Sequence, residues 1–167
     1  MSPRSETLRA FSESLPMALL RARESVMRQF RPGLRVHGVT EQQWRVLRAL
    51  SGEAAVEISE LAARTCLLAP SLSRILPDLA ARGLIARRQV RSDLRRAVVS
   101  LTPEGARLIA AHAAQSERIY RAIESRFGTD ALQQLFALLA ALEQSLAAPT
   151  ARPVAGARRA TRRARAA

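Results

Sequence analysis

Residues 57–102 read EISELAARTCLLAPSLSRILPDLAARGLIARRQVRSDLRRAVVSLT, and their hydrophobic pattern decides the fold. Apolar residues first recur at helical spacing, as Ile58, Leu61 and Ala62 and then as Leu72, Ile75, Leu76 and Leu79. That spacing predicts two short helices, each with one buried face. Gly83 follows Arg82 where the second helix should stop, as the left-handed residue that commonly ends helices. From Leu84 to Leu101 the period drops to two, which predicts two strands around a polar tip, Arg91-Ser92-Asp93-Leu94-Arg95-Arg96. The stretch is therefore read as a winged helix-turn-helix, with a tip that projects into solvent or into a nucleic-acid groove.

Working outward, Ser14 and Pro16 mark the start of a helix that carries Leu15, Leu19, Ala22, Val26 and Phe30 on one stripe. Pro32-Gly33 is expected to end it. Thr40 followed by Glu41-Gln42-Gln43 is a capping box, opening a helix that buries Trp44, Leu47 and Leu50. Leu68-Ala69-Pro70-Ser71 opens the recognition helix. Pro77 removes a helical bond to the Ser73 carbonyl, so a kink near Ser73 to Pro77 is expected within one continuous helix. Thr102-Pro103-Glu104 starts a long helix to about Phe127, Gly128-Thr129-Asp130 breaks the chain, and a last helix runs from Ala131 to about Ala147. Its apolar stripe is too broad for packing on a single neighbour.

Three further segments in the sequence bear on function. The Asp-x-Arg-Arg at Asp93 to Arg96, the Arg-Gly-Leu-Ile at Arg82 to Ile85, and the Val-Ser-Leu-Thr-Pro-Glu-Gly at Val99 to Gly105 together resemble the MarR family of winged-helix transcription factors. The resemblance extends from about Leu15 to about Leu146. Leu15-Pro16 through Arg31-Pro32, with Thr40 to Arg48, is most similar to the subgroup that regulates homoprotocatechuate catabolism. It implies a mainly α fold with a small β-hairpin wing. Residues 14–35 and 103–147 would form dimerisation helices around a DNA-binding domain at 36–102. A flexible lead-in at 1–13 and a disordered Arg-rich tail at 148–167 would flank them.

Composition agrees with an anionic partner. Net charge is +13, and all 27 basic residues are Arg. The tail holds six of them and no acid, so the rest of the chain keeps +7. The alternatives are that Arg simply solubilises the surface, or that the tail makes the chain a general or architectural nucleic-acid-binding protein. No membrane span or leader pattern is present, and a cytoplasmic location is expected. Cys66, the single cysteine, is expected to be a buried thiol. With two histidines, one cysteine and no Gly-rich phosphate loop or nucleophile motif, neither an enzyme nor a bound metal or other cofactor is expected.

A recognition helix presents the residues of its N-terminal turns to base edges, which makes Pro70, Ser71, Ser73 and Arg74 the candidates, with Ser59 on the preceding helix. Arg74 is suited to guanine O6 and N7. The serines could equally satisfy helix-terminal amides. Arg87, Arg88, Arg91, Arg95 and Arg96 cluster around Asp93. The resemblance implies that Asp93 orients one wing arginine while another enters the minor groove. It also implies a crevice for a small aromatic carboxylate effector between the dimerisation helices and the winged unit. Arg21 or Arg23, with Met17, Leu20, His37 and Trp44, are the candidates for that role, set against core packing for Trp44 and ion pairing for the arginines.

Overall fold

In the computed structural model, residues 10–90 and 93–147 are described, except for the side chains of residues 90–95. After a short 3-10 turn at Phe11–Glu13, α1 spans Leu15–Val36, α2 Glu41–Leu50, α3 Ile58–Thr65 and α4 Ala69–Ala81. Strand β1 is Val56–Glu57, β2 Ile85–Val90 and β3 Asp93–Leu101; α5 then spans Pro103–Phe127 and α6 Thr129–Ala147. The sheet is antiparallel in the order β1-β3-β2, with Val56 opposite Val99 and Ile85 opposite Leu101. Residues up to Ile123 form one compact unit, a winged helix-turn-helix with α1 and most of α5, and the end of α5 with α6 belongs to a second. The terminal segments 1–9 and 148–167 lie outside the described residues, and with them most of the expected lead-in and the whole Arg-rich tail.

The two-residue strand β1 is new, because two residues are too few for a periodicity to register. The hairpin is also longer than expected: Asp93 to Arg96 belong to β3 rather than to a tip.

Helix α1 does not stop at Pro32-Gly33. Pro32 and Arg28 are exposed, so the Arg28 carbonyl that the ring leaves unbonded is open to water. Gly33 is buried, and a Cβ there would lie 2.6 Å from His112 Cε1. Position 33 is glycine because α5 passes close by. The stop comes at Gly38, whose φ is +62°. Its N–H donates to the Arg35 carbonyl and that of Val39 to the Leu34 carbonyl, the paired bonds of a Schellman cap. Val39 and Leu34 are both buried. Gly83 ends α4 in the same way, as the sequence predicts, with φ +68° and bonds from Gly83 to Ala80 and from Leu84 to Leu79.

A third cap of this type ends α3, and here the left-handed residue is Cys66, with φ +51°. The thiol is exposed, contrary to expectation, because the cap turns its Cβ outward while Leu67 takes the inward position. A side chain in this region costs about 1–2 kcal/mol, and glycine brings an entropic cost of about 0.5–1 kcal/mol. Cys66→Gly should therefore raise stability by about 0.5–1 kcal/mol in denaturant titration, whereas Cys66→Ala should not.

The core is built by α2, α3, α4 and the sheet, around Val46, Leu47, Leu50, Leu61, Leu72, Leu79 and Val99. The capping box of α2 is present: Gln43 N donates to Thr40 Oγ1 and Thr40 N to Gln43 Oε1. Gln43 Nε2 also donates to Asp78 at 2.7 Å, which ties the start of α2 to α4. Helix α4 is continuous through Pro77, as expected. Pro77 and Ser73 are exposed, so the Ser73 carbonyl is also open to water. Thr102 closes the wing: its N–H donates to the Leu84 carbonyl, and its hydroxyl donates to the Gly83 carbonyl while accepting from Gly105 N.

Candidate functional site: a DNA-facing surface and an arginine-lined cavity

The first candidate surface is the exposed side of α4 with the wing. Pro70, Ser73 and Arg74 are exposed and Ser71 half-buried, while Leu72, Ile75, Leu76 and Leu79 fill the inner face. Ser59 is exposed at the start of α3. Arg87 and Arg88 are successive residues of β2 and point to opposite faces, opposite Val99 and Val98 of β3. Both are exposed. Arg96 forms an ion pair with Glu57 of β1, which joins the wing to the start of α3. Arg91 and the side chains of Asp93 and Arg95 fall outside the described residues.

The second is a cavity of about 320 Å³ between α1, α2 and α5. Arg23, Val26, Met27 and Phe30 come from α1; Glu41, Trp44, Arg45 and Arg48 come from α2; Ile109, Ala113, Ser116, Glu117 and Tyr120 come from α5. The aromatic wall is ordered by edge-to-face packing of Phe30 on Tyr120, with centroids 5.2 Å apart. Trp44 packs both against the core and along the cavity.

A carboxylate and guanidinium network forms the rim. Glu41 pairs with Arg23 and with Arg31 at 3.2 Å, and Arg31 also holds Glu24 at 2.8 Å. The bond from Arg31 holds the Glu24 carboxyl below its usual range. Arg48 makes no ion pair among the described residues, and it is the cation on this lining whose charge is least neutralised.

Of the six expected effector residues, the cavity brings together Arg23 and Trp44. Leu20 lines an adjoining open groove with Arg23. Met17, Arg21 and His37 line neither. His37 instead packs edge to face on His112, centroids 5.4 Å apart, and His112 packs on Trp44 at 4.7 Å. The residues missed are Arg45, Arg48, Phe30 and Tyr120. Arg48 was within reach of the sequence, because it stands four residues after Trp44 on one helix face. The α5 residues were not.

His112 is fully buried, and neither ring nitrogen has a hydrogen-bond partner in the described residues. Burial, and then the charge of His37, push its pKa below the ordinary value of 6.5. The folded state thus favours neutral His112, and its stability is complete above pH 6.5 and declines as pH falls below it, because the unfolded chain binds the proton more readily. The melting temperature should fall between pH 7 and pH 5.5, and His112→Leu should flatten that slope. Equal slopes would show that another group sets it.

No helix among the described residues is long and apolar enough to cross a membrane. The MarR family model matches residues 37–96. The homoprotocatechuate degradative operon repressor of Escherichia coli is 42% identical over 127 residues, covering 76% of this chain and 86% of the relative. A structure of NadR in complex with 4-hydroxyphenylacetate is similar with a TM-score of 0.71 and 36% identity, covering 81% of this chain and 96% of that one. The transcriptional repressor CouR bound to a 23-mer DNA duplex is similar with a TM-score of 0.72 and 27% identity, covering 82% and 99%. The extent of these matches, together with the winged helix-turn-helix they fall on, establishes that the chain belongs to the MarR family of transcriptional regulators.

Proposed function

We propose that the protein is a ligand-responsive repressor that binds a pseudo-palindromic DNA operator as a homodimer and is released by a hydroxylated aromatic or pyridine carboxylate. The observation that carries the reading is the cavity, where apolar and aromatic walls meet Arg23, Arg45 and Arg48. A flat anionic ring fits such a lining: Trp44, Phe30 and Tyr120 take the ring, and Arg45 and Arg48 share the carboxylate. Similarity to a homoprotocatechuate degradative operon repressor and to NadR, solved in complex with 4-hydroxyphenylacetate, supports the same class of effector. The domain plan remains that of residues 14–35 and 103–147 dimerising around 36–102.

For DNA, Ser71, Ser73 and Arg74 would read the major groove, with Ser59 and Pro70 beside them, while Arg87, Arg88, Arg91, Arg95 and Arg96 follow the backbone and minor groove. Asp93 would orient a wing arginine. Arg74→Ala should cost about 1–3 kcal/mol and relax preference at one operator position, whereas Arg87→Ala should weaken all duplexes alike.

The deciding experiment is competition. Unlabelled palindrome should displace labelled operator at least a thousandfold better than random duplex, the order of the usual specific-to-nonspecific ratio, and an aromatic acid should abolish the difference. Equal competition by random DNA would instead support a general nucleic-acid-binding protein.

A further inference from the structure

We propose that Arg45 is the group through which occupancy of the cavity reaches the helix-turn-helix; the inference rests on the cavity being an anion-binding effector site. Arg45 lies between two places. On one side it lines the cavity, with Nη2 3.9 Å from Glu41. On the other, Nη1 donates to the backbone carbonyl of Thr65 at 2.9 Å.

Thr65 is the last residue of α3 and is buried. Its carbonyl is among those that a helix C-terminus leaves without a helical partner, and a cation there also opposes the negative end of the helix dipole. The Thr65 hydroxyl donates to Leu61 and does not compete. The next residue is Cys66, in the left-handed conformation that turns the chain toward α4. Arg45 therefore holds the turn of the helix-turn-helix from the side of the cavity.

Arg45 Nε is the feature that points to a ligand. It is buried and makes no hydrogen bond among the described residues. A donor taken out of water without a new partner is unfavourable, and turning the guanidinium toward an acceptor in the cavity would relieve it. A carboxylate met side-on takes Nε and one terminal nitrogen in parallel bonds. The guanidinium donors are fixed in one plane, so turning Nε and Nη2 toward an anion rotates Nη1 away from the Thr65 carbonyl. Occupancy then favours the arrangement in which the turn is released, and DNA favours the one in which it is held. Each ligand weakens the other by the same factor.

The test uses the full chain, 4-hydroxyphenylacetate as probe, and a duplex selected from a randomised library on the wild-type protein. Saturation is read from quenching of Trp44, the single tryptophan. In the wild type, saturating probe should weaken duplex binding at least tenfold. Arg45→Met should bind the duplex without probe as weakly as the saturated wild type does, and saturation should weaken it further by less than twofold. A merely structural arginine would lower duplex affinity in the variant but leave the probe's fold-change intact, and that result overturns the inference.

Arg45→Lys returns one donor to the Thr65 carbonyl without the side-on pair. It should regain probe-free affinity and respond several-fold less than wild type; full release by this variant also overturns the inference. A wild type that shows neither quenching nor release would instead remove the effector reading, and the inference with it.

Discussion

A single methyl group at position 105 should remove at least about 3 kcal/mol of folding stability. Gly105 is buried in the first turn of α5, where a Cβ would run into the backbone carbonyl oxygen of Leu84 and lie 2.7 Å from Leu101 Cδ1. Leu101 could adjust, but the Leu84 carbonyl is fixed by the bond it accepts from Thr102. Overpacking of a rigid site costs about 1–3 kcal/mol and sometimes more, and the backbone obstacle places Gly105→Ala at or above about 3 kcal/mol. Denaturant titration should show the midpoint lowered with the slope unchanged. A loss below about 1 kcal/mol would mean that α5 can shift away from the end of α4. Gly33→Ala should be milder, because Gln115, one of the two side chains it meets, ends in a flexible amide.

The largest functional loss is expected from α6. None of its residues is buried, while Leu138 is 69% and Phe136 58% exposed. Apolar side chains on α1 are also uncovered, Leu15, Leu19 and Val26 among them. Exposed apolar side chains of this kind are candidates for association, and on the proposed reading a second copy related by two-fold symmetry would cover those of α6. Leu138→Glu should leave the subunit folded and convert it to a monomer in sedimentation. With one half-site per particle, operator affinity should fall toward the nonspecific level, at least about a thousandfold. A variant that remains dimeric and folded would place the interface on another surface. Leu139 is half-buried, so an acid there would test the packing of the subunit as well.

The parts of this fold that are legible in sequence are those decided within a few residues. Thr40 and Gln43 cap each other across one helical turn, and Gly83 takes a conformation that only its own dihedral angles decide. The apolar period of α4 outweighs Pro77 because the proline ring points to solvent. The same reasoning applies to Pro32, where proline followed by glycine is the stronger local stop signal. What overrides that signal is distant in sequence: His112 fills the space beside Gly33, and the helix continues to Val36.

Cys66 illustrates the reverse case, since a thiol between apolar neighbours suggests burial and only the cap geometry turns it outward. Pro70, Ser73 and Arg74 are exposed as their spacing on α4 predicts, because that spacing is set within one helix. The cavity was only partly legible. Trp44 and Arg23 are on two helices whose faces can be read, but Tyr120 and Ile109 reach it only through the packing of α5, which no local pattern encodes.

The bonds around Thr102 have a consequence for how such regulators can be re-engineered. One hydroxyl fastens the end of α4 to the start of α5, and the backbone bond beside it shuts the base of the hairpin. The hairpin from Ile85 to Leu101 thus hangs from a fastened base, and Arg87, Arg88, Gln89 and Arg96 along it are exposed. The outer segment of the hairpin should therefore accept lengthening, or exchange for that of another regulator, while the scaffold that positions α4 stays unchanged. On the proposed reading, minor-groove contacts of the wing could then be transplanted separately from the major-groove contacts of α4.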